Sequence, residues 1–162
     1  MTWDETFMEI AEVIAKRSKD PDKQVGAVIV KDKIVLGIGY NGFPRDTRPN
    51  TGFKVDIDRI PKTESSEPIK NKNFYVVHAE VNAILNSRGD LNGSTIYCTL
   101  FPCNECAKII IQSGIRRVIY KDPWKSEKDT VKVSKNLMEI YGIEYIKYSD
   151  LINKNGGEII NE

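Results

Sequence analysis

The stretch STIYCTLFPCNECAKIIIQSGIRRVIY, at residues 94–120, contains three segments of different pattern. STIYCTL at 94–100 is rich in β-branched and aromatic residues and predicts a strand. CNECAKIIIQS at 103–113 predicts a helix that ends at Gly114, and RRVIY at 116–120 predicts another strand. A strand, a helix and a strand in succession are typical of α/β proteins.

The rest of the chain extends the same alternation. Thr2 and Glu5 have the spacing of a capping box, which predicts a helix start at the N-terminus. The other predicted elements are helices at about 4–17, 78–88 and 127–141, strands at 25–30, 34–40 and 143–148, and a tight turn at 31–33. Strands and helices that alternate after an initial hairpin predict a three-layer α/β/α sandwich around one mixed five-stranded sheet.

The length of 162 residues predicts a single domain with one core. We expect that core at about 4–148, followed by a polar tail at 149–162. The segment 41–74 is rich in Gly, Pro, Asn, Ser, Thr and charge, and it is long for a structureless loop in a compact domain. A segment of this length and composition favours a functional loop that extends from the core of the fold.

The composition excludes several classes of protein. It has 40% hydrophobic and 29% charged residues, as in ordinary globular proteins, and no apolar run long enough to span a bilayer. The N-terminus has acidic residues before its basic ones and no small-residue cleavage site, which argues against a secretory signal. Three cysteines predict a reduced cytoplasmic location. A net charge of +1 argues against a broad nucleic-acid surface but permits small anionic ligands.

Cys103 and Cys106 have three possible chemistries. A C-x-x-C pair at the start of a helix can be a redox dithiol. It can instead be half of a structural zinc site, for which the chain offers only Cys98 and His78 as further ligands. Cys98 lies within a strand pattern, where a buried neutral thiol is the simpler interpretation. The third possibility is a pair of ligands to a catalytic metal.

His78 and Glu80 favour the third possibility. A single histidine is more often structural than a ligand, and an acid at a helix start is often merely solvated. Here, however, H-x-E precedes P-C-x-x-C, the pattern of zinc-dependent nucleobase deaminases. Three ligands, His78, Cys103 and Cys106, would leave a fourth position for water. Glu80 lies about 200° around the helix from His78, so it suits proton transfer better than metal ligation.

The sequence resembles the deoxycytidylate (dCMP) deaminases of the cytidine/deoxycytidylate deaminase superfamily. The resemblance covers about residues 4–148. Its motifs are SKDP at 18–21, VGAVIV at 25–30, GYNG at 39–42, HAEVNAIL at 78–85 and TLFPCNECAKIIIQSGI at 99–115. It implies a cytidine deaminase-like fold, one catalytic Zn²⁺ per chain, and hydrolysis of dCMP to dUMP and ammonia for thymidylate synthesis. In the implied mechanism Glu80 takes a proton from the metal-activated water, passes it to N3 of cytosine and then protonates the leaving amine.

The resemblance also implies a set of substrate contacts. Asn41 corresponds to a residue that contacts the sugar, and Trp124 to an aromatic residue that packs on the substrate, although core packing is an alternative for Trp124. Ser18 and Lys19 are candidates for binding the 5′-phosphate, with surface charge as the alternative for them. The predicted substrate-binding residues are Ser18, Lys19, Asn41, Ala79 and Trp124, with Lys125 as an outlying candidate.

Regulation is a further implication of the resemblance. Family members are commonly homohexamers that dCTP activates and dTTP inhibits, with Mg²⁺ on the triphosphate. The loop after GYNG supplies the effector contacts, which here are Gly42, Phe43, Arg45 and Arg48. Asp46 replaces a frequent glycine and would oppose close approach of a phosphate, whereas the two arginines can pair with phosphate oxygens. A second, structural zinc site is not expected, because no further histidine is present.

Other functions remain open at this point. The pocket of a broader deaminase would also accept dCTP or another cytosine nucleotide. An RNA-directed deaminase and a catalytically silent nucleotide-binding protein share the metal pattern, but near-neutral charge argues against the first and the intact HAE against the second. A redox role leaves His78 and Glu80 unexplained. We therefore expect nucleotides as partners, and neither nucleic acid nor membrane.

Overall fold

The computed structural model describes residues 1–45, 55–125 and 128–155. The strands are β1 (Gly26–Lys31), β2 (Ile34–Tyr40), β3 (Thr95–Leu100), β4 (Arg117–Asp122) and β5 (Glu144–Lys147). The helices are α1 (Trp3–Ala15), α2 (Ala79–Asn86), α3 (Asn104–Gln112), α4 (Asp129–Ile140) and α5 (Tyr148–Asn155). Each predicted helix and strand is present, with ends that differ by at most two residues.

The five strands form one mixed sheet in the order β2-β1-β3-β4-β5. β1 is antiparallel to β2 and to β3, whereas β3, β4 and β5 are parallel. Asp32 and Lys33 have φ angles of 51° and 64° in the hairpin between β1 and β2. Two consecutive positive φ angles match the right-handed twist of paired strands, which explains the tight turn there.

Helices cover both faces of the sheet. On one face α1 and α5 pack on a cluster that includes Val28, Tyr97 and Ile119. On the other face α2, α3 and α4 pack on a cluster that includes Ile29 and Cys98. Adjacent residues of β1 and of β3 thus enter opposite clusters, as the two-residue period of a strand requires. The predicted three-layer α/β/α sandwich with a mixed five-stranded sheet is confirmed.

Gly39 lets α2 approach β2 closely. A Cβ atom at Gly39 would lie 2.2 Å from the backbone nitrogen of Ala83 and 2.3 Å from the carbonyl oxygen of Ala79. Any side chain there would push the helix away from the strand. Asn82 reinforces the contact, because its Nδ2 donates to the carbonyl oxygen of Tyr40 at 2.8 Å. The start of α2 is therefore fixed against the sheet.

A buried lysine near the C-terminal end of the segment 41–74 connects this segment to the rest of the fold. Lys72 is 2% exposed, and its Nζ donates to Asp20 Oδ1 at 2.8 Å and pairs with Asp22. Burial alone would lower the pKa of Lys72, but the hydrogen bonds that it donates to the two carboxylates outweigh burial and raise that pKa. The ion pair holds the C-terminal part of this segment against the loop that follows α1.

The region after residue 148 differs from the predicted polar tail, since α5 begins there. Leu151 is 7% exposed and belongs to the cluster beneath α1. One buried leucine among polar residues gives too little periodicity to predict a helix, and tertiary packing supplies the stability instead. Within the three described ranges, every helix is too short or too polar to cross a bilayer.

Candidate active site

The starts of α2 and α3 bring the predicted ligands together. His78 is the N-cap of α2 and Cys103 the N-cap of α3, both with extended backbone. Cys106 follows in the first turn of α3. Because the free N–H groups and the dipole of each helix start stabilise negative charge, this is a favourable place for thiolates.

The ligand atoms have the spacing of a metal site. His78 Nδ1 lies 3.3 Å from Cys106 Sγ and 3.5 Å from Cys103 Sγ, and all three atoms lie within 4.8 Å of one another. Zinc bonds of about 2.3 Å to sulfur and about 2.1 Å to nitrogen, at a tetrahedral angle, would separate a sulfur and a nitrogen ligand by about 3.6 Å. One imidazole and two thiols are also the donors that zinc prefers. The three residues therefore fit a zinc ion with one position open.

The two thiols of this trio share one hydrogen bond. The Cys106 thiol donates to Cys103, and this bond together with that from His78 lowers the pKa of Cys103 to about 4. The same bond raises the pKa of Cys106. Cys98 lies outside the trio in the core, and burial raises the pKa of its thiol well above the ordinary value. Cys98 is thus separate from the two cysteines whose sulfurs lie beside His78.

Glu80 lies beside the trio and is buried. It is 5% exposed, and Cys106 Sγ lies 3.5 Å from Glu80 Oε2. Burial raises the pKa of Glu80, although its own backbone N–H and His78 oppose the change. A carboxyl group with a raised pKa can hold and release a proton near neutral pH, as general acid–base catalysis requires.

A cavity of about 600 Å³ opens onto these groups. We call His78, Ala79, Glu80 and Cys103 its floor, because they lie at the two helix starts. We call Lys23, Lys72, Trp124 and Lys128 its rim, because they lie in the segments that connect the strands and the five α-helices, Lys128 at the start of α4. Both sets line the cavity. Its volume is in the range of small-molecule sites.

The predicted substrate residues fall into two groups. Asn41, Ala79 and Trp124 line the cavity. Ser18 is buried and donates to the carbonyl oxygen of Asn41 at 2.8 Å, and Lys19 is exposed. Neither Ser18 nor Lys19 is among the residues that line the cavity. The binding roles of all five stay predictions.

Asn41 holds the loop that carries part of the rim. Its Oδ1 accepts from the backbone N–H of Val25 at 2.8 Å, and its Nδ2 donates to the carbonyl oxygen of Lys23 at 2.8 Å. Both ends of the amide are therefore bonded to the backbone of residues 23–25. The asparagine of GYNG thus shapes the wall of the cavity.

Three of the predicted effector residues, Gly42, Phe43 and Arg45, are described by the structure, and none of the three is among the residues that line the cavity. Gly42 pairs with Val77 in an antiparallel bridge, one residue before His78. Arg45 Nη2 donates to Asn86 Oδ1 at 2.8 Å, and Phe43 has the Lys62 Nζ 5.5 Å from its ring centroid. Arg48 and the substitution at Asp46 lie outside the described residues.

Sequence reasoning missed three lysines of the rim. Lys23, Lys72 and Lys128 line the cavity but belong to no local motif. Long-range contacts bring them together, so the separate segments gave no signal.

Comparison with known proteins agrees with this site. Residues 1–122 match the family model described as the cytidine and deoxycytidylate deaminase zinc-binding region. A probable deoxycytidylate deaminase of Drosophila melanogaster is 46% identical over 149 residues, covering 90% of this chain and 72% of the relative. The deoxycytidylate deaminase of Homo sapiens is 40% identical over 151 residues, covering 91% and 80% of the two chains.

A solved structure gives the same result. The dCMP deaminase of cyanophage S-TIM5, crystallised with dCMP and dUMP, superposes with a TM-score of 0.67 at 28% identity, covering 88% of this chain and 94% of the other. The fold, the ligand trio and the matched residues agree with one another. This protein therefore belongs to the cytidine and deoxycytidylate deaminase family, whose members are hydrolytic deaminases.

Proposed function

We propose that this protein catalyses the zinc-dependent hydrolysis of dCMP to dUMP and ammonia, supplying dUMP for thymidylate synthesis. The observation that carries the proposal is the His78, Cys103 and Cys106 trio beside the buried Glu80, on the floor of a cavity of nucleotide size. The similarity to deoxycytidylate deaminases over about nine-tenths of the chain supports this substrate.

In this proposal His78 Nδ1 and the sulfurs of Cys103 and Cys106 hold one zinc ion. Zinc held there would activate a water molecule for attack on C4 of the cytosine ring. The helix starts that carry the ligands stabilise both thiolates, whose charges balance that of the metal.

Glu80 moves the protons. It accepts a proton from the attacking water and delivers it to N3 of the ring while oxygen bonds to C4. It then takes the proton of the new hydroxyl and delivers it to the amino nitrogen, so that the C4–N bond breaks, a carbonyl forms and ammonia leaves. The burial that raises the pKa of Glu80 supports both transfers.

The nucleoside is proposed to contact Asn41, Ala79 and Trp124, which line the cavity. Hydrogen bonds fix the Asn41 amide and the Trp124 indole, whose Nε1 donates to the carbonyl oxygen of Phe101 at 2.8 Å. Fixed groups lose little entropy on binding, so they orient the ring at low cost. The sequence predicted Ser18 and Lys19 as contacts of the 5′-phosphate, but neither residue lines the cavity, so the proposal does not rest on them.

Regulation forms part of the same proposal. We infer that dCTP activates and dTTP inhibits a cytoplasmic homohexamer, with Mg²⁺ on the triphosphate and contacts from Gly42, Phe43, Arg45 and Arg48. The bridge between Gly42 and Val77 supports this, because it joins the effector segment to the residue before His78. A shift of that bridge would reach the metal ligand directly. The whole chain is proposed to act as a single deaminase domain.

A substrate panel tests the proposal. Ammonia release is measured with dCMP, CMP, dCTP, deoxycytidine and a tRNA anticodon stem, each with and without dCTP or dTTP as effector. We expect dCMP to be the best substrate, with activation by dCTP and inhibition by dTTP. Ammonia only from deoxycytidine, only from dCTP or only from RNA would overturn the assignment, and activity that ignores both effectors would remove the regulatory part.

A further inference from the structure

Two lysines of the rim lie close to the indole ring of Trp124. Lys23 Nζ lies 3.8 Å from the centroid of the indole ring, and Lys128 Nζ lies 5.2 Å from it. Lys23 follows α1 and Lys128 is the N-cap of α4, so two distant segments place their ammonium groups at one ring. Both residues line the cavity that contains Glu80.

The ring beside these lysines is held in place. Trp124 Nε1 donates to the carbonyl oxygen of Phe101, and the indole packs against the core cluster beneath α2–α4. A fixed aromatic face attracts ammonium groups through its quadrupole. Trp124 thereby sets where the two charges lie.

The loop of Lys23 is held equally firmly. Asp20 Oδ1 accepts from the backbone N–H groups of Asp22 at 2.9 Å and Lys23 at 3.1 Å, and from Lys72 Nζ at 2.8 Å. On the other side, Asn41 Nδ2 donates to the carbonyl oxygen of Lys23. The backbone that carries Lys23 is therefore positioned before any ligand binds.

Among the residues that the structure describes, no ion pair neutralises the positive charge of Lys23 or Lys128. Within residues 1–45, 55–125 and 128–155, neither ammonium group has a carboxylate oxygen within 4.0 Å. Asp20 and Asp22 are paired with Lys72 instead. Burial, and then repulsion by Lys128 and Lys125, lower the pKa of Lys23, while Glu64 opposes this from a distance.

We propose that Lys23 and Lys128 bind the phosphate of the nucleotide substrate and make this site select nucleotides over nucleosides. Two ammonium groups beside one cavity match the doubly charged oxygens of a phosphate monoester. The assignment rests on the proposed deamination of dCMP, and it places the phosphate at Lys23 and Lys128 rather than at Ser18 and Lys19.

The test compares dCMP with deoxycytidine, which lacks only the phosphate. The ratio of kcat/KM for the two substrates is measured for the zinc-loaded wild type and for Lys23→Gln, Lys128→Gln and the double variant. We expect the ratio to fall about tenfold in each single variant and about a hundredfold in the double variant. Lys132→Gln, one turn later on α4 in an exposed pair with Asp129, should keep the wild-type ratio.

A ratio in the double variant within about twofold of wild type would overturn the assignment. A merely structural role of the lysines would lower both kcat/KM values together and leave the ratio unchanged, which is the same contradiction. If the wild type fails to deaminate dCMP, the proposed function fails instead. Calorimetry with dUMP and deoxyuridine then decides the phosphate assignment. A dUMP preference that the double variant loses supports it, and equal affinity of the wild type for the two ligands overturns it.

Discussion

The floor and the rim of the cavity are built in different ways. Floor residues such as His78 and Cys103 stand at helix starts that pack on the sheet, so the backbone of the core fixes them. Rim residues such as Lys23 and Lys128 stand in connecting segments and depend on side-chain contacts with Trp124. In the proposed function the floor supplies the groups that deaminate cytosine, whereas the rim supplies the groups that select the substrate.

The largest expected effect comes from a change in the floor. Glu80→Gln keeps the shape and burial of the side chain but removes its ability to move protons, so we expect kcat to fall by about 10³-fold or more. Zinc content, measured by mass spectrometry of the metal, should stay near one ion per chain. Turnover within tenfold of wild type would show that another group moves the protons.

The next largest effect concerns the ion pair between Lys72 of the rim and Asp20. Lys72→Met keeps the apolar stem but leaves the nearly buried Asp20 without its cation, which should lower the free energy of unfolding by about 2–3 kcal/mol in urea titrations. Lys70→Met is the matched control, because Lys70 pairs with Glu67 on the surface and such a pair contributes at most about 0.5 kcal/mol. Equal losses in the two variants would contradict a stabilising role for the buried pair.

The stability that this ion pair contributes should depend on pH, which gives a second test of it. Burial tends to raise the pKa of Asp20, but Lys72 and two backbone N–H groups outweigh it and lower that pKa. The contribution of Asp20 is therefore complete above its unfolded pKa of about 3.9, and it is lost as pH falls through the lower folded value. Lys72 has a raised pKa, so its contribution is complete below about pH 10.4 and is lost as pH rises through the folded value.

We accordingly expect the stability difference between wild type and Lys72→Met to be constant from about pH 5 to 9 and to shrink below about pH 4. Urea titrations of both proteins across this range measure it. A difference that grows on acidification would have the wrong sign for this ion pair.

The smallest expected effect concerns Cys98, which lies in the core and outside the ligand trio. Cys98→Ala removes one buried sulfur, so we expect a loss of about 1 kcal/mol in the free energy of unfolding. Zinc content should not change, since Cys98 lies outside the ligand trio. Cys103→Ala serves as the contrast and should lose the metal. Loss of zinc from Cys98→Ala would reassign the ligands.

The floor could be predicted from the sequence because its residues are close together along the chain. His78 and Glu80 are two residues apart, Cys103 and Cys106 three, and each pair opens a helix whose start fixes the geometry. The succession of strand and helix patterns likewise predicted the sheet. The continuous apolar run of β1 fits a strand whose adjacent residues enter opposite layers, both of them buried.

The rim could not be predicted in this way. Lys72 contacts Asp20 across 52 residues of sequence, and Lys23 and Lys128 come from distant segments to the same Trp124 ring. Contacts between residues so far apart in the chain leave no periodic pattern in the local sequence. The helix α5 was missed for a related reason, because Leu151 packs beneath α1 without a repeated apolar pattern around it.

The most direct test of the central claim is the product balance of the zinc-loaded wild type with dCMP. If the trio holds zinc and Glu80 moves the protons, dUMP and ammonia should appear in equal amounts in protein that carries about one zinc per chain, and removal of the metal should stop both. Protein that carries this zinc and leaves dCMP unchanged would contradict the account.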